Sequence, residues 1–91
     1  MYTREEIFFF SQILGVDFSN FSFDDLVVGV NIELEHGLKN PKTNITNNDL
    51  IKTMKIALAH LNEFPDYYNN DYGLPALEKL LIEKKNTRSN Y

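Results

Sequence analysis

The sequence has no cysteine, and this absence removes several classes of site at once. Disulfides, thiolate nucleophiles, zinc fingers and iron–sulfur clusters are all excluded. No apolar run approaches the length of a membrane span. The first six residues, Met1-Tyr2-Thr3-Arg4-Glu5-Glu6, are acidic where a secretion signal would be basic. We therefore expect a cytoplasmic protein that is neither secreted nor inserted in a membrane.

Basic residues and catalytic motifs are also scarce. The chain carries 9 Lys and Arg against 13 Asp and Glu, which gives a net charge of −4. Nucleic-acid binding needs clustered basic residues, so the charge disfavours DNA or RNA as a partner. The sequence has neither a glycine-rich phosphate loop nor a nucleophile elbow, and we expect no enzyme activity. Its Asn-rich and Lys-rich composition suggests an AT-rich genome, bacterial or viral.

Two stretches, 24 positions apart, share one helical pattern. Each opens with a hydroxyl residue followed three positions later by Asp, namely Ser22 with Asp25 and Thr46 with Asp49. This arrangement is typical of a helix start, because the hydroxyl can accept a hydrogen bond from a free backbone N–H. Apolar residues at helical spacing follow in both stretches, and each ends near a histidine. Internal duplication and convergence on a common helix pattern both explain the match.

The same signals extend to the rest of the chain. Thr3 and Glu6 predict a capping box, Gly15 and Gly37 predict helix ends, and Pro75 suits the first position of a last helix. The predicted helices cover residues 3–14, 22–36, 46–63 and 75–85. No segment alternates with period two, so we expect no sheet. The sequence thus predicts an all-α bundle of about four helices, with a long loop between helices two and three. Residues 1–85 form one domain and residues 86–91 a polar tail.

Three motifs carry a family resemblance. They are Glu33-Leu34-Glu35-His36-Gly37, Thr43-Asn44-Ile45-Thr46, and the run Lys55-Ile56-Ala57-Leu58-Ala59-His60-Leu61-Asn62-Glu63-Phe64-Pro65-Asp66-Tyr67-Tyr68. The region from residue 24 to residue 77 resembles a family of small bacterial and phage proteins whose function is unknown. The resemblance implies a shared role for the polar motif residues, and it implies no activity or cofactor.

Glu33 with His36, and His60 with Glu63, form two carboxylate–imidazole pairs at a spacing of three residues. Such residues lie on one face of a helix and could present two ligands to one metal ion, with Asp66 or Tyr67 as a further oxygen donor. Zn²⁺, Fe²⁺ or Mn²⁺ would accept this set of nitrogen and oxygen ligands. A histidine near a helix C-terminus also commonly bonds a free carbonyl, and this capping role is the main alternative.

The topology decides whether the two pairs can meet. In an antiparallel hairpin His36 and His60 would lie ~20 Å apart, whereas a crossover that makes the helices parallel would bring them together. Ten residues can span such a crossover. If the histidines instead cap separate helix ends, substituting both should give additive losses of about 1–3 kcal/mol each.

Aromatic residues form two clusters. Phe8, Phe9 and Phe10 are consecutive, so their rings spread over more than half of the helix circumference and cannot share one buried face. The helix is then either enclosed by neighbours on two sides or exposes a ring that contacts another chain. Tyr67, Tyr68 and Tyr72 suit a protein interface, or core packing with their hydroxyls outward. We expect an interaction or assembly module that binds a protein partner or itself and has no cofactor; the alternative is a small metal-binding protein.

Overall fold

The computed structural model describes residues 1–44 and 49–88. These residues form four α-helices and no strand, which confirms the predicted all-α bundle. A long connection, residues 40–49, separates the second helix from the third and contains a short 3₁₀ helix, Pro41–Thr43. The helices are α1 (Arg4–Ile13), α2 (Phe23–Lys39), α3 (Leu50–Glu63) and α4 (Leu74–Arg88).

The starts of α1 and α2 follow the predicted capping boxes. The Thr3 hydroxyl accepts from the Glu6 N–H at 3.1 Å, and the Glu6 carboxylate accepts from the Thr3 N–H at 3.1 Å. Ser22 and Asp25 repeat this reciprocal pair at 3.0 and 2.9 Å. Gly15 follows α1 with a φ of 66°, a left-handed conformation that glycine adopts without steric cost. Local sequence signals therefore fix these helix ends.

The predicted end of α2 at Gly37 is wrong. The helix continues through Gly37 to Lys39, and Asn40 takes an extended conformation with φ −143° and ψ 103°. The cause is Pro41, because the proline ring disfavours helical geometry in the residue before it. The Asn40 side chain then accepts from the Lys42 N–H at 3.0 Å and caps the 3₁₀ helix.

The predicted start of α3 at Thr46 lies outside the described residues. As described, α3 begins at Leu50, and Asp49 is its N-cap, with its carboxylate accepting from the Lys52 N–H at 2.9 Å. The matching Asp25 lies three residues inside the capping box of α2. The two similar stretches therefore use their aspartates differently at the helix start.

The last helix is longer than predicted. It contains Pro75 at its second position and runs to Arg88, three residues into the predicted tail. Residues 89–91 of that tail lie outside the described residues.

Helices α2 and α3 pack as an antiparallel pair. Phe21, directly before α2, lines one cavity together with Leu58 and Asn62 near the end of α3. α1 lies against the start of α2, through an ion pair of 2.7 Å between Arg4 and Asp24 and through edge-to-face contacts of its aromatic rings. The buried core contains Ile7, Phe21, Leu26, Val30, Leu50, Met54, Ala57, Leu61 and Tyr68.

A compact turn over residues 64–73 connects α3 to α4. The Tyr67 N–H donates to the Phe64 carbonyl at 2.9 Å, and the Gly73 N–H donates to the Asn69 carbonyl at 2.9 Å. A Cβ at Gly73 would lie 2.5 Å from three backbone atoms of the turn, so only glycine fits there. This turn directs Tyr68 into the core, where its side chain is 4% exposed.

Candidate functional site

The polar centre of the molecule is the carboxylate of Glu33, on the C-terminal half of α2. Its side chain is only 11% exposed. The Tyr68 hydroxyl donates to Glu33 Oε2 at 2.6 Å, and His60 Nδ1 lies 3.2 Å from the same oxygen. Glu33 therefore joins α2, the end of α3 and the turn that follows it.

The hydrogen bonds determine the orientation and tautomer of His60. The Tyr68 hydroxyl hydrogen points to Glu33, so the Tyr68 oxygen is left as an acceptor for His60 Nδ1, 3.0 Å away. His60 Nδ1 must then carry the hydrogen, which in the neutral ring leaves Nε2 without one. A buried carboxylate with several donors around it is compensated in this way for its lost hydration.

Gly29 makes room for this arrangement. A Cβ at Gly29 would lie 2.5 Å from Cε2 and 2.7 Å from Cδ2 of Tyr68, well inside van der Waals contact. The Tyr68 ring therefore packs directly on the backbone of α2, one helical turn before Glu33. The sequence marks Gly29 as costly in a helix; the structure shows that it accommodates a tyrosine ring.

Tyrosine ionisation is suppressed around Glu33. Burial, followed by the hydrogen bond to Glu33 and the charge of that carboxylate, raises the pKa of Tyr68 well above its ordinary value. The ring of Tyr67 stacks on His60 with centroids 4.2 Å apart and planes 14° apart. Burial, then the nearby Glu33 and Glu78 carboxylates, also raise the pKa of Tyr67. Both hydroxyls stay neutral at physiological pH.

His36 extends the cluster to α4. Its Nε2 lies 3.0 Å from Oε1 of Glu78, and its Nδ1 lies 3.7 Å from Oε1 of Glu33. The second distance is too long for a hydrogen bond and is an electrostatic contact. We call the connected set the Glu33 network: Glu33, His36, His60, Tyr67, Tyr68 and Glu78.

Both histidines thus contact the same carboxylate, although α2 and α3 are antiparallel. The expectation that only a parallel crossover could bring them to a common site is wrong. Side chains on a helix lean toward its N-terminus, so Glu33 extends toward the level of Gly29, and His36 leans back toward Glu33. The carboxylate spans the gap between the two histidines.

Of the predicted metal ligands, three meet in the network and two do not. Glu33, His36 and His60 come together, whereas Glu63 and Asp66 are exposed and are not members of the network. Within residues 1–44 and 49–88, no group of three or more His, Asp or Glu side chains is arranged to hold a metal ion. The metal-binding alternative therefore gains no support from this geometry.

The predicted aromatic contact residues lie in different environments. Phe8 and Phe9 are exposed, so α1 is not enclosed on two sides, while Phe10 is partly buried against the core. Tyr72 is exposed and Tyr67 is half-buried. Tyr68 cannot belong to a partner-binding surface, because it is buried and bonded to Glu33.

Two residues contact the Glu33 network in ways that no local sequence pattern reveals. Glu78 pairs with His36 across 42 positions of sequence, and no local pattern marks it. Gly29 is conspicuous inside a helix, but its partner Tyr68 is 39 positions away. Both contacts join residues that are far apart in the sequence, so a helical wheel does not reveal them.

Two apolar hollows lie at the surface of the described residues. The first, which we call the α1 groove, has a volume of about 690 Å³ and is lined by Arg4, Glu5, Phe8, Phe9, Gln12, Ile13 and Phe23. The second, of about 510 Å³, lies next to Tyr67 and is lined by Phe64, Asp66, Tyr67, Tyr72, Gly73, Leu74 and Leu77. No helix in the described part of the chain is long and apolar enough to cross a membrane.

Residues 9–79 match the family described as Protein of unknown function (DUF5661), and the chain belongs to this family. The match contains every member of the Glu33 network. It ends at Lys79, so the last nine residues of α4 lie beyond it. No curated protein and no solved structure gives a match.

Proposed function

We propose that this member of the DUF5661 family is a protein-interaction or assembly module rather than an enzyme. One observation carries the proposal: large apolar side chains are uncovered on two separate faces of a very small domain. Contiguous exposed apolar patches on soluble proteins mark contact sites with other molecules. The two faces are the α1 groove and the outer side of α4.

The α1 groove has the composition of a contact surface. Phe8, Phe9 and Ile13 are each more than half exposed and lie side by side on one helix. The polar groups of its lining are Arg4, Glu5 and Gln12. Apolar side chains with a charged rim are typical of the centre and edge of a protein interface.

The Glu33 network supports a structural rather than a catalytic role for the polar motif residues. Glu33 and Tyr68 are turned inward and bonded to each other, and His36 is occupied by two carboxylates. These contacts connect α2, the end of α3, the turn and α4. The network therefore holds the scaffold on which the apolar faces are displayed.

The partner in this proposal is a protein, either another molecule or a second copy of the chain. The net charge of −4 disfavours nucleic acid. A cytoplasmic setting and a bacterial or phage origin belong to the proposal, and they are supported by composition and by the family resemblance alone.

Chemical cross-linking in extract of the native host tests the proposal. The wild type is compared with Phe9→Gln in the α1 groove, with Leu81→Gln on α4, and with Lys55→Gln as an exposed control on α3. Glutamine is a good helix former, so each variant should keep its fold. We expect at least one apolar variant to lose cross-linked species that the control retains. Identical cross-linking in all four proteins, or none in any, would overturn the proposal.

A further inference from the structure

The second apolar hollow, between the turn and the start of α4, is lined largely by aromatic rings. We call it the turn hollow, and its volume is about 510 Å³. Its aromatic residues are Phe64, Tyr67 and Tyr72, of which Phe64 and Tyr72 are 57 and 70% exposed. Tyr67 is held by the stacking of its ring on His60, with centroids 4.2 Å apart. Pockets of roughly 300–1,000 Å³ bind small molecules, so the turn hollow has room for one.

The backbone of the turn places these rings before a ligand binds. The Leu74 N–H donates to the Tyr67 carbonyl at 2.6 Å. The Asn69 side-chain oxygen accepts from the N–H groups of Asp71 and Tyr72, at 2.8 and 3.3 Å. The backbone positions of Tyr67 and Tyr72 are therefore set by the fold, which lowers the entropy cost of binding between them.

The charge around the turn hollow is negative. Asp66 lines the hollow and is exposed, and the described lining residues include no Lys, Arg or His. Burial, and then the carboxylates of Glu33 and Glu78, raise the pKa of Tyr67, so a negative field reaches this ring. The faces of aromatic rings are also negative and attract cations. The hollow is therefore suited to a positively charged ligand with apolar substituents.

The α1 groove shows the contrasting arrangement. There the guanidinium carbon of Arg4 lies 5.0 Å from the centroid of the Phe23 ring, and both residues line the groove. This distance is within the range of a cation–π contact. The α1 groove thus contains a cation from its own chain, whereas the described lining of the turn hollow has rings and a carboxylate without one. A cation in the turn hollow has to come from another molecule.

We infer that the turn hollow binds a methylated ammonium group, supplied by a small organic cation or by a methylated lysine side chain. Methyl groups on the nitrogen can contact the rings and the apolar side chains of Leu74 and Leu77, which also line the hollow. An unmethylated ammonium is strongly hydrated and loses more on leaving water. Asp66 supplies the opposite charge. The inference goes beyond the proposed function and does not depend on it.

Nuclear magnetic resonance titration of the purified full chain with choline measures this binding. Choline should give saturable shifts in the amides of residues 66–74, with about millimolar affinity, because each exposed ring contributes a factor of only about two to five. The alcohol 3,3-dimethylbutan-1-ol has the shape of choline without its charge and should bind about fivefold more weakly or less. Equal binding of the two compounds, or no saturable shift with choline, would overturn the inference.

Substitutions in the lining separate the rings from the charge. Phe64→Leu and Tyr72→Leu each replace a ring by an aliphatic side chain and should weaken choline binding about threefold. Asp66→Asn removes the charge at nearly constant shape and should have an effect of similar size. All three side chains are exposed, so the variants should keep their fold. Phe9→Leu and Glu5→Gln make the matching changes in the α1 groove and should leave binding unchanged. Equal affinities in lining and control variants would overturn the assignment to the turn hollow.

Two short peptides identify the source of the group, one with trimethyllysine and one with the same lysine unmethylated. Tighter binding of the methylated peptide than of choline would indicate a protein side chain, and weaker binding would indicate a free cation. In either case the unmethylated peptide should bind about fivefold more weakly than the methylated one. Equal binding of the two peptides would overturn the requirement for methyl groups. The cross-linking experiment in native extract is a separate measurement, so the proposed function can fail while this inference holds, and the reverse.

Discussion

Around Glu33, polar side chains are turned inward and paired, whereas along α4 apolar side chains are turned outward and uncovered. Glu33 is 11% exposed and has a donor on each side, while Leu81 is 55% exposed. The usual sorting of polar residues outside and apolar residues inside is reversed in both regions. Tyr68 and His60 compensate the buried carboxylate, and under the proposed function a partner protein covers the outer side of α4.

The two regions also differ in how they relate to the family. All members of the Glu33 network lie within residues 9–79, the part of the chain that matches it. Leu80, Leu81 and Ile82 lie beyond that match. The polar network therefore belongs to the shared domain, and the uncovered end of α4 is an extension of it.

Adding one methyl group at Gly29 should destabilise the Glu33 network more than any other change in this series. In Gly29→Ala the new Cβ would lie 2.5 Å from the Tyr68 ring, which must move and lose its bond to Glu33. We expect a loss of about 3 kcal/mol in the free energy of unfolding, measured with urea. Gly37→Ala is the matched control on the same helix. Its Cβ would lie 2.8 Å from Asn44 Oδ1, the end of a side chain rather than a packed ring, so its loss should be within about 1 kcal/mol and well below that of Gly29→Ala. Equal losses in both variants would contradict the packing role of Gly29.

Removing only the hydroxyl of Tyr68 should have the next largest effect. Tyr68→Phe keeps the ring against Gly29 but leaves the Glu33 carboxylate without its 2.6 Å donor. The expected loss is about 2 kcal/mol in urea unfolding. Tyr72→Phe removes a hydroxyl from an exposed ring and should leave stability within about 0.5 kcal/mol. A Tyr68→Phe protein as stable as the wild type would show that the network adds nothing to the fold.

Alkaline pH should reduce stability through the same Tyr68 hydroxyl, which donates to Glu33. The pKa of Tyr68 is raised in the folded protein above its ordinary value of 10.0, by burial and by Glu33. Between the two pKa values only the unfolded chain loses this proton, so stability is complete below pH 10 and falls as the pH rises further. One such group contributes a slope of about 1.4 kcal/mol per pH unit. Tyr68→Phe should lack this contribution, so its stability should fall less steeply than that of the wild type in unfolding measured above pH 10. If the stabilities of the two proteins fell equally steeply above pH 10, the raised pKa of Tyr68 would not contribute to stability.

The losses in stability on substituting the two histidines should be coupled, and this coupling should be the smallest effect of the series. Because His36 and His60 contact the same carboxylate, the earlier expectation of additive losses no longer holds. A double-mutant cycle with His36→Ala and His60→Ala should give a coupling of about 0.5–1 kcal/mol. The pair of His36 with Glu78 is partly exposed, so the loss for His36→Ala alone should be within about 1 kcal/mol. Strictly additive losses in the two single variants would show that the histidines act independently.

Local signals predicted the helix starts, and a local signal that was overlooked explains the misplaced end of α2. The capping boxes at Thr3 and Ser22 depend on residues three positions apart, so the sequence alone identifies them. The end of α2 was misplaced because Gly37 permits a helix end without requiring one, whereas Pro41 enforces it. The correct helix starts and the misplaced helix end all depend on backbone geometry that residues a few positions away determine.

The candidate site was predicted only in part. The residue types of Glu33, His36 and His60 indicated one polar cluster, and the three do meet. Their purpose could not be predicted, because it depends on Tyr68, which reaches Glu33 from 35 positions away through the gap left by Gly29. Tyr68, for which the sequence left both an interface and core packing open, is buried and donates to the Glu33 carboxylate.

Hydrogen exchange of the α4 amides, in the purified chain and in extract of the native host, tests the central claim most directly. If a protein partner covers the outer side of α4, amides of residues 80–88 should exchange rapidly in the purified chain and become protected in the extract. Amides near Ala57, in the buried part of α3, should stay protected in both samples and serve as the internal reference. Rapid exchange of α4 in both samples, or equal protection in both, would contradict the account.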